Sequence, residues 1–286
     1  MLVSDKWSDY ELLDCSRGER LERWGKYTLV RPDPQVIWDT DRRHPGWKTP
    51  SARYIRSKSG GGRWEKNDLP ANWQIAYGDL KFNVKPMNFK HTGIFPEQAV
   101  NWDYIMQKVA EADRPVSILN LFAYTGAATL AGAAAGARVC HVDAAKGMVS
   151  WARENAKSSG LEKRPVRWIV DDCVKFLERE IRRGRTYDAV IMDPPSYGRG
   201  PTGETWKLED DLFRFVRTVT QVMSDSPEFV IINSYTTGLS PAALTYIAET
   251  LISRKFGGGA KSHELGLPVS ESGLILPCGA AMRWET

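Results

Sequence analysis

Apolar and polar residues alternate in the first third of the chain and gather into largely apolar blocks after it. Lys26-Tyr27-Thr28-Leu29-Val30 and Leu80-Lys81-Phe82-Asn83-Val84 are short alternating runs broken by turn residues, in a stretch rich in Trp, Tyr, Arg and Pro. Alternation of this kind suits strands with one face on a core and one in water, so residues 1–92 read as a small β-rich domain. From about Pro115 the texture changes. The runs 116–121, 138–142, 166–170, 187–192 and 229–234 are mostly apolar and are separated by stretches of helical pattern. Buried strands, each followed by a helix, predict repeated βα units and a mostly parallel sheet.

The helices are expected over an Ala-rich stretch ending near Gly136, between Asp143 and Ser159-Gly160, and over residues 173–183, 211–223 and 241–254. The glycine at 160 is a helix stop signal. Residues 91–113 read as a joining segment and first helix. Two extended runs around Ser272-Gly273, within 261–284, predict a terminal antiparallel hairpin. The fold class is therefore α/β, with residues 93–286 forming the sheet domain behind the β-rich one.

Composition adjusts this picture only slightly. With 286 residues, 42% hydrophobic and 26% charged, the chain can hold one full α/β domain and a smaller one. The opening residues 1–9 lack the basic start and apolar core of a signal peptide, and Arg138 interrupts the most apolar stretch, 130–142. No membrane span is expected, and the expected location is the cytoplasm. Cys15, Cys140, Cys173 and Cys278 show no Cys-x-x-Cys pair or His at ligand spacing, so neither a metal site nor a disulfide framework is expected.

The net charge of +4 is modest, but its distribution is uneven. Residues 42–66 carry eight Lys and Arg, among them Arg53, Arg56 and Arg63, against Glu65 alone. Trp47, Tyr54 and Trp64 are interleaved with them, and Gly60-Gly61-Gly62 loosens the backbone. Such a segment suits phosphate contacts and base stacking, and equally a solvated loop whose aromatic rings pack locally.

The chemistry gathers at the ends of the predicted strands. The run 189–192 is followed by Asp193-Pro194-Pro195-Ser196. Proline has no amide donor and a fixed φ, so the strand stops and presents a stiff loop, fit to grip a flat nitrogenous base, where open α/β sheets bind ligands. The first strand of the domain leads into Phe122-Ala123-Tyr124-Thr125-Gly126, the second ends at Asp143, and the third at Asp171-Asp172. A glycine lets backbone approach a ligand at a helix start, a carboxylate after the second strand can accept two ribose hydroxyls, and one after the third can accept an adenine amine. Each acid alone could simply cap a helix. A dinucleotide-binding oxidoreductase shares the second-strand acid, but its three-glycine fingerprint is missing and bulky aromatics stand where a pyrophosphate would fit. Adenosine without phosphates is the better match.

The series Asn120-Leu121-Phe122-Ala123-Tyr124-Thr125-Gly126, Val142-Asp143, Trp151-Ala152-Arg153-Glu154-Asn155, Asp171-Asp172 and Asp193-Pro194-Pro195-Ser196 resembles the class I S-adenosylmethionine-dependent methyltransferases. Within them it is most similar to the bacterial enzymes that make 5-methylcytosine or 7-methylguanine in large-subunit ribosomal RNA, without the N-terminal RNA-binding module common in that family. The segment from His91 to Gln98 is similar to the family's Thr-Gly-x-Phe-Leu-Asp-Gln-Arg, with Ala99 in place of the arginine. The resemblance implies a Rossmann-like sheet of seven strands whose last two form the terminal hairpin. It implies S-adenosylmethionine as cofactor, contacted by Thr92, Phe95, Gln98, Asn120, Phe122, Tyr124, Thr125, Gly126, Asp143, Ala144, Asp172, Cys173 and Asp193. Asp193, Pro194, Pro195 and Ser196 would face the target base, and Tyr197, Arg199, Trp206, Arg53, Arg56 and Arg63 would hold an RNA substrate.

Ser196 stands where amine methyltransferases of this fold tend to carry an aromatic that stacks on the base. Carbon 5 of cytosine needs a cysteine thiolate on the neighbouring carbon, and neither 196–198 nor 233–237 contains one, although Cys278 could approach from the hairpin. Guanine nitrogen 7 has a free lone pair, so alignment with the methyl group suffices. The reading favours RNA methylation at nitrogen. The alternatives are the cytosine route through a distant cysteine and a silent cofactor-binding protein associated with RNA. The glycine-rich stretch 198–206 reads either as a loop closing over a nucleotide or as a plain surface loop.

Overall fold

The computed structural model describes residues 1–57, 61–87, 89–199, 205–236 and 238–286. Two compact units divide the chain: Met1–Val100 with Leu265–Cys278, and Asn101–Glu264 with Gly279–Thr286. The division thus falls after Val100 rather than after residue 92, and the terminal hairpin contributes to both units.

The alternating runs of the smaller unit form β1 (Leu2–Val3), β2 (Tyr10–Ser16), β3 (Glu19–Trp24), β4 (Tyr27–Pro32), β5 (Ala52–Arg56), β6 (Gly62–Lys66), β7 (Trp73–Tyr77) and β8 (Leu80–Val84). Strands β2 to β6 make one sheet in sequence order, antiparallel except for the β4/β5 pair, while β7 and β8 pair as a separate hairpin. Arg17 and Gly18 join β2 to β3 with φ of 52° and 74°, the two-residue turn whose twist matches a hairpin. Leu21, Trp24, Leu29 and Phe82 are fully buried, and β2 to β4 bury residues on both faces, which corrects the expectation of one face in water for these strands. A register shift between Leu12 and Asp14 turns Leu12, Leu13 and Asp14 all inward, where Asp14 accepts the Trp47 indole N–H at 2.7 Å. From the hairpin side, Leu265 and Gly266 pair with β1, Val269 bridges to Leu12, and the amides of Ser270 and Glu271 donate to the Leu12 and Leu13 carbonyls.

The larger unit opens with α1 (Ala99–Glu111), most of which lies beyond the division, and continues β9 (Ser117–Leu121), α2 (Ala127–Ala134), β10 (Arg138–Asp143), α3 (Lys146–Ser158), β11 (Val166–Val170), α4 (Cys173–Arg182) and β12 (Ala189–Met192). Then come β13 (Tyr197–Arg199), β14 (Thr205–Lys207), α5 (Leu208–Val219), β15 (Phe229–Ser234) and α6 (Pro241–Ala248). A π-turn, Glu249–Ser253, carries α6 into α7 (Arg254–Phe256), and β16 (Gly259–Pro268) and β17 (Ile275–Glu285) end the chain. The expected seven strands lie in the order β16-β17-β15-β12-β9-β10-β11, with only β17 antiparallel to its neighbour β15. The chain runs outward from β9 through β10 to β11, then returns to β12 on the other side of β9. The switch point of the sheet therefore lies between β9 and β12, which is where such sheets open a ligand crevice.

Two expectations on element bounds are corrected. Helix α5 starts at Leu208, ahead of residue 211, because Glu209, Asp210 and Asp211 sit well in a helix's first turn. It stops at Val219, ahead of residue 223, because Val222 and Ser224 bond with Tyr187 instead. The stretch after the two prolines is a ribbon and not a plain loop: Tyr197, Gly198 and Arg199 pair antiparallel with Lys207, Trp206 and Thr205. Residues 200–204 of that stretch lie outside the described residues, as do Lys58, Gly60 and Thr237.

Candidate active site

The loop after β9 is held in a conformation that ordinary side chains resist. Phe122, Tyr124 and Gly126 have φ of 54°, 50° and 86°. A non-glycine residue there costs on the order of 1–3 kcal/mol and persists only where its surroundings dictate it. The surroundings are explicit. The Phe122 amide donates to the Cys173 thiol at 3.4 Å, the Ala123 amide to the Val142 carbonyl at 3.0 Å, and the Tyr124 amide to Asp143 Oδ2 at 2.8 Å. Asn155, on α3, donates its side-chain amide to the Thr125 carbonyl at 2.9 Å. Gly126 is sterically required as well, since a Cβ there would lie 2.8 Å from the Ala152 methyl.

Beneath the loop runs a buried polar chain. Asn120 donates to the Thr129 hydroxyl at 2.9 Å, and Thr129 meets His141 Nδ1 at 2.9 Å. Burial, aided by Arg153, drives the His141 pKa down to about 3, so the ring is neutral. Its face packs on Trp168 with ring centres 5.0 Å apart. Asn120 was expected among the cofactor contacts, yet its side chain is buried and engaged with Thr129, supporting the loop from below. A polar residue in a helix's apolar stripe is the signal that would have found Asn155, which lies among Trp151, Ala152 and Ala156.

The acidic strand ends fall where the spacing predicts. Asp143 closes β10 half-buried, its Oδ1 accepting from the Ala145 amide at 2.8 Å, with Ala144 exposed beside it. Burial raises its pKa, and the two backbone amides oppose that rise. Asp172 is the N-cap of α4, accepting from the Lys175 amide at 3.0 Å, while Asp171 pairs with Arg179. Cys173 is buried at the start of α4, and desolvation pushes its thiol well up.

Across the switch point, β12 pairs with β9 so that Met192 faces Leu121, and the Asp193 amide reaches the Leu121 carbonyl at 3.4 Å. Register alone therefore sets Asp193 beside the Phe122–Gly126 loop. Asp193 is half-buried, Pro194 buried, and Pro195, Ser196 and Tyr197 exposed. Three bonds fix the far half of this turn. The Trp206 indole donates to the Pro195 carbonyl at 2.6 Å, the Leu208 amide to the Ser196 carbonyl at 3.1 Å, and the Thr236 hydroxyl to Ser196 Oγ at 2.7 Å. The Trp206 ring also packs on Phe122 and Phe215, with centres 5.6 and 5.5 Å away.

The remaining candidates belong to the smaller unit. Thr92 and Gln98 are buried there, and Phe95 sets its ring edge to His91 at 5.3 Å. Much of the basic segment is engaged locally. Arg53 and Arg42 both pair with Glu19 at 2.8 Å, Arg42 covers the buried Trp47 ring at 4.1 Å, and Tyr54 packs edge-on against Trp64. Arg63 pairs with Glu65 at an exposed position, and Arg56 is exposed. Among the described residues no cluster of His, Cys, Asp and Glu is arranged to hold a metal, and no helix is long and apolar enough to cross a membrane.

An adenosyl group fits this arrangement: a close-approach backbone loop, then a half-exposed carboxylate at each of the next two strand ends. Residues 48–250 match the family described as S-adenosylmethionine-dependent methyltransferase. The chain belongs to that family. It is similar to the SAM-dependent methyltransferase from Agrobacterium tumefaciens, 36% identical with a TM-score of 0.93 over 99% of this chain and 92% of the other. A candidate methyltransferase solved in complex with SAH, 18% identical with a TM-score of 0.71 over 98% of this chain and 76% of its own, shares the fold. The ribosomal RNA large subunit methyltransferase K/L of Pseudoalteromonas atlantica is 31% identical over 56% of this chain. The methyltransferase described here spans only 22% of that relative's length. S-adenosylmethionine is its cofactor.

Proposed function

We propose that this methyltransferase acts on a base of ribosomal RNA and transfers the methyl group directly to nitrogen. The observation that carries the reading is the β9/β12 register, which sets the Asp193 turn next to the Phe122–Gly126 loop. Bound S-adenosylmethionine supplies an electrophilic methyl group on a sulfonium centre. The chain's part is to position and to exclude water. Asp143 receives the ribose hydroxyls, Asp172 the adenine amine, and the backbone between Phe122 and Gly126 surrounds the methionine end. Asp193 and the Pro194 carbonyl face the target base. A ring nitrogen with a free lone pair needs no base, whereas an exocyclic amine would place its N–H on the Asp193 carboxylate.

The state of the thiols supports this over the covalent cytosine route. Burial pushes Cys15 up to about 11 and also raises Cys140, Cys173 and Cys278, the last further opposed as a thiolate by Glu97. A cysteine nucleophile needs the opposite environment. RNA as substrate is supported by the named relatives and by the exposed Arg56 and Arg63 of the smaller unit, to which we assign substrate recognition.

The test is tritiated methyl transfer to total RNA, DNA and protein from cells lacking the gene, followed by nucleoside mass spectrometry. Label in ribosomal RNA as an N-methylated base is expected. Label in protein, in DNA or at carbon 5 would overturn the reading. Asp193→Ala is expected to lower transfer roughly 100- to 1000-fold while SAH affinity stays within about threefold.

A further inference from the structure

We infer that Trp206 is a positioning residue that couples cofactor binding to the geometry of the Asp193-Pro194-Pro195-Ser196 turn, an inference that rests on the functional reading above. The sequence offers Trp206 as a residue that would hold an RNA substrate, but its indole N–H is engaged with the Pro195 carbonyl at 2.6 Å. Its ring is part-buried in a triad with Phe122 and Phe215, the three centres 5.4 to 5.6 Å apart. Phe122 is no ordinary neighbour: it is the first residue of the cofactor loop and sits at φ 54°. One side chain thus touches both loops that flank the switch point, by a ring contact on one and a hydrogen bond on the other.

The same bond occupies the Pro195 carbonyl within the turn. Pro195 already accepts a donor, and Ser196 accepts through both its carbonyl and its hydroxyl. Trp206 thus holds the Pro195 end of the turn from within, beside the bonds that fix Ser196. Ligand atoms settling on the Phe122 backbone restrict that residue, and packed aromatic rings pass the restriction to Trp206 because close-packed cores do not deform continuously. A turn already fixed by Trp206 needs little rearrangement to reach reacting geometry, which affects the chemical step more than the initial binding.

The experiment is hydrogen exchange with and without SAH, alongside steady-state kinetics, on the full chain and on Trp206→Phe and Trp206→Ala. In the wild type, SAH is expected to slow exchange in peptides covering both 121–130 and 193–208. In Trp206→Ala the first should still be protected and the second should not, with SAH affinity within about threefold. Trp206→Phe keeps the ring contact and loses the hydrogen bond. It should lower kcat roughly tenfold at nearly unchanged KM for RNA and retain part of the exchange response. Equal SAH protection of 193–208 in all three proteins would overturn the inference, as would an unchanged kcat in Trp206→Ala. The exchange arm needs no acceptor, so failure to find an RNA substrate would count against the functional reading and leave the coupling judged by its own data.

Discussion

Glu22 in the smaller unit and Asp143 in the larger are both carboxylates withdrawn from water, and their surroundings push them in opposite directions. Glu22 is fully buried and receives Arg31 at 2.7 Å, the Tyr10 hydroxyl at 2.8 Å and Arg20 at 3.4 Å. Burial alone would raise its pKa, but the two guanidiniums and the hydrogen bonds outweigh it and hold the group at about 2. Among the described residues Asp143 receives two backbone amides, and there burial wins, so its pKa rises. The difference separates a closed structural pair from an open site. A carboxylate whose partners are all in place has nothing further to bind, whereas one left short of donors beside a close-approach loop gains by meeting hydroxyls.

The widest separation of the two should appear on removing each carboxylate. Glu22→Ala strands the Arg31 charge and is expected to lower unfolding free energy by about 3–5 kcal/mol in urea titrations, the usual cost of breaking a buried ion pair from one side. Retained stability would mean that the pair is no more than a neutral feature of the core. Asp143→Ala should behave the other way, weakening SAH by about 10- to 100-fold in calorimetry with a smaller loss of stability. If SAH affinity held and the protein unfolded instead, Asp143 would belong with Glu22.

pH sharpens the contrast next. A group with a depressed folded pKa contributes stability that disappears as acid is added, so Glu22's share is complete above 4.5 and vanishes toward about pH 2. His141 acts earlier. It stays neutral down to about 3 when folded but takes up a proton near its ordinary 6.5 when unfolded, which costs stability as pH falls through that window. Comparing the wild type with His141→Phe, the gap between them should change by about 2 kcal/mol from pH 7 to pH 5, in favour of the variant at the acid end. A constant gap would show that the His141 ring titrates alike in the folded and unfolded states, with no lowered pKa in the fold. The smallest effect is expected from Cys278→Ser, which should leave methyl transfer within about twofold. Loss of turnover there would restore the covalent route.

Much of this site was readable before any coordinates, for a specific reason. Strand-terminating chemistry leaves marks in sequence: prolines after Met192, an acid after Val142, a glycine five residues past Leu121. The sheet's order then turns those marks into neighbours. What the sequence hid were interactions between residues distant along the chain. Nothing local announces that Trp206 reaches back to Pro195, that Thr236 meets Ser196, or that Asn155 supports the Thr125 carbonyl. The basic segment misled in the same way. Its charge density was legible, but not that Glu19, far upstream, takes up both Arg42 and Arg53. Among the described residues of the segment, Arg43, Lys48, Arg56, Arg63 and Lys66 remain exposed, Arg43 pairing with Asp41 and Arg63 with Glu65.

The terminal hairpin carries one more consequence. Residues 265–278 complete the smaller unit, and residues 280–285 pair with β15 inside the larger one. Neither unit is a continuous stretch of chain, so neither can close before residues 265–285 have been made. Until residues 280–285 are available, the β15 edge lacks this partner strand and its amides stand open to any other chain. Closing either unit therefore depends on contacts of long sequence separation, slow by topology and exposed to aggregation during synthesis. Cutting the gene at the boundary after Val100 should yield two insoluble halves, and co-expression would have to supply the same hairpin twice.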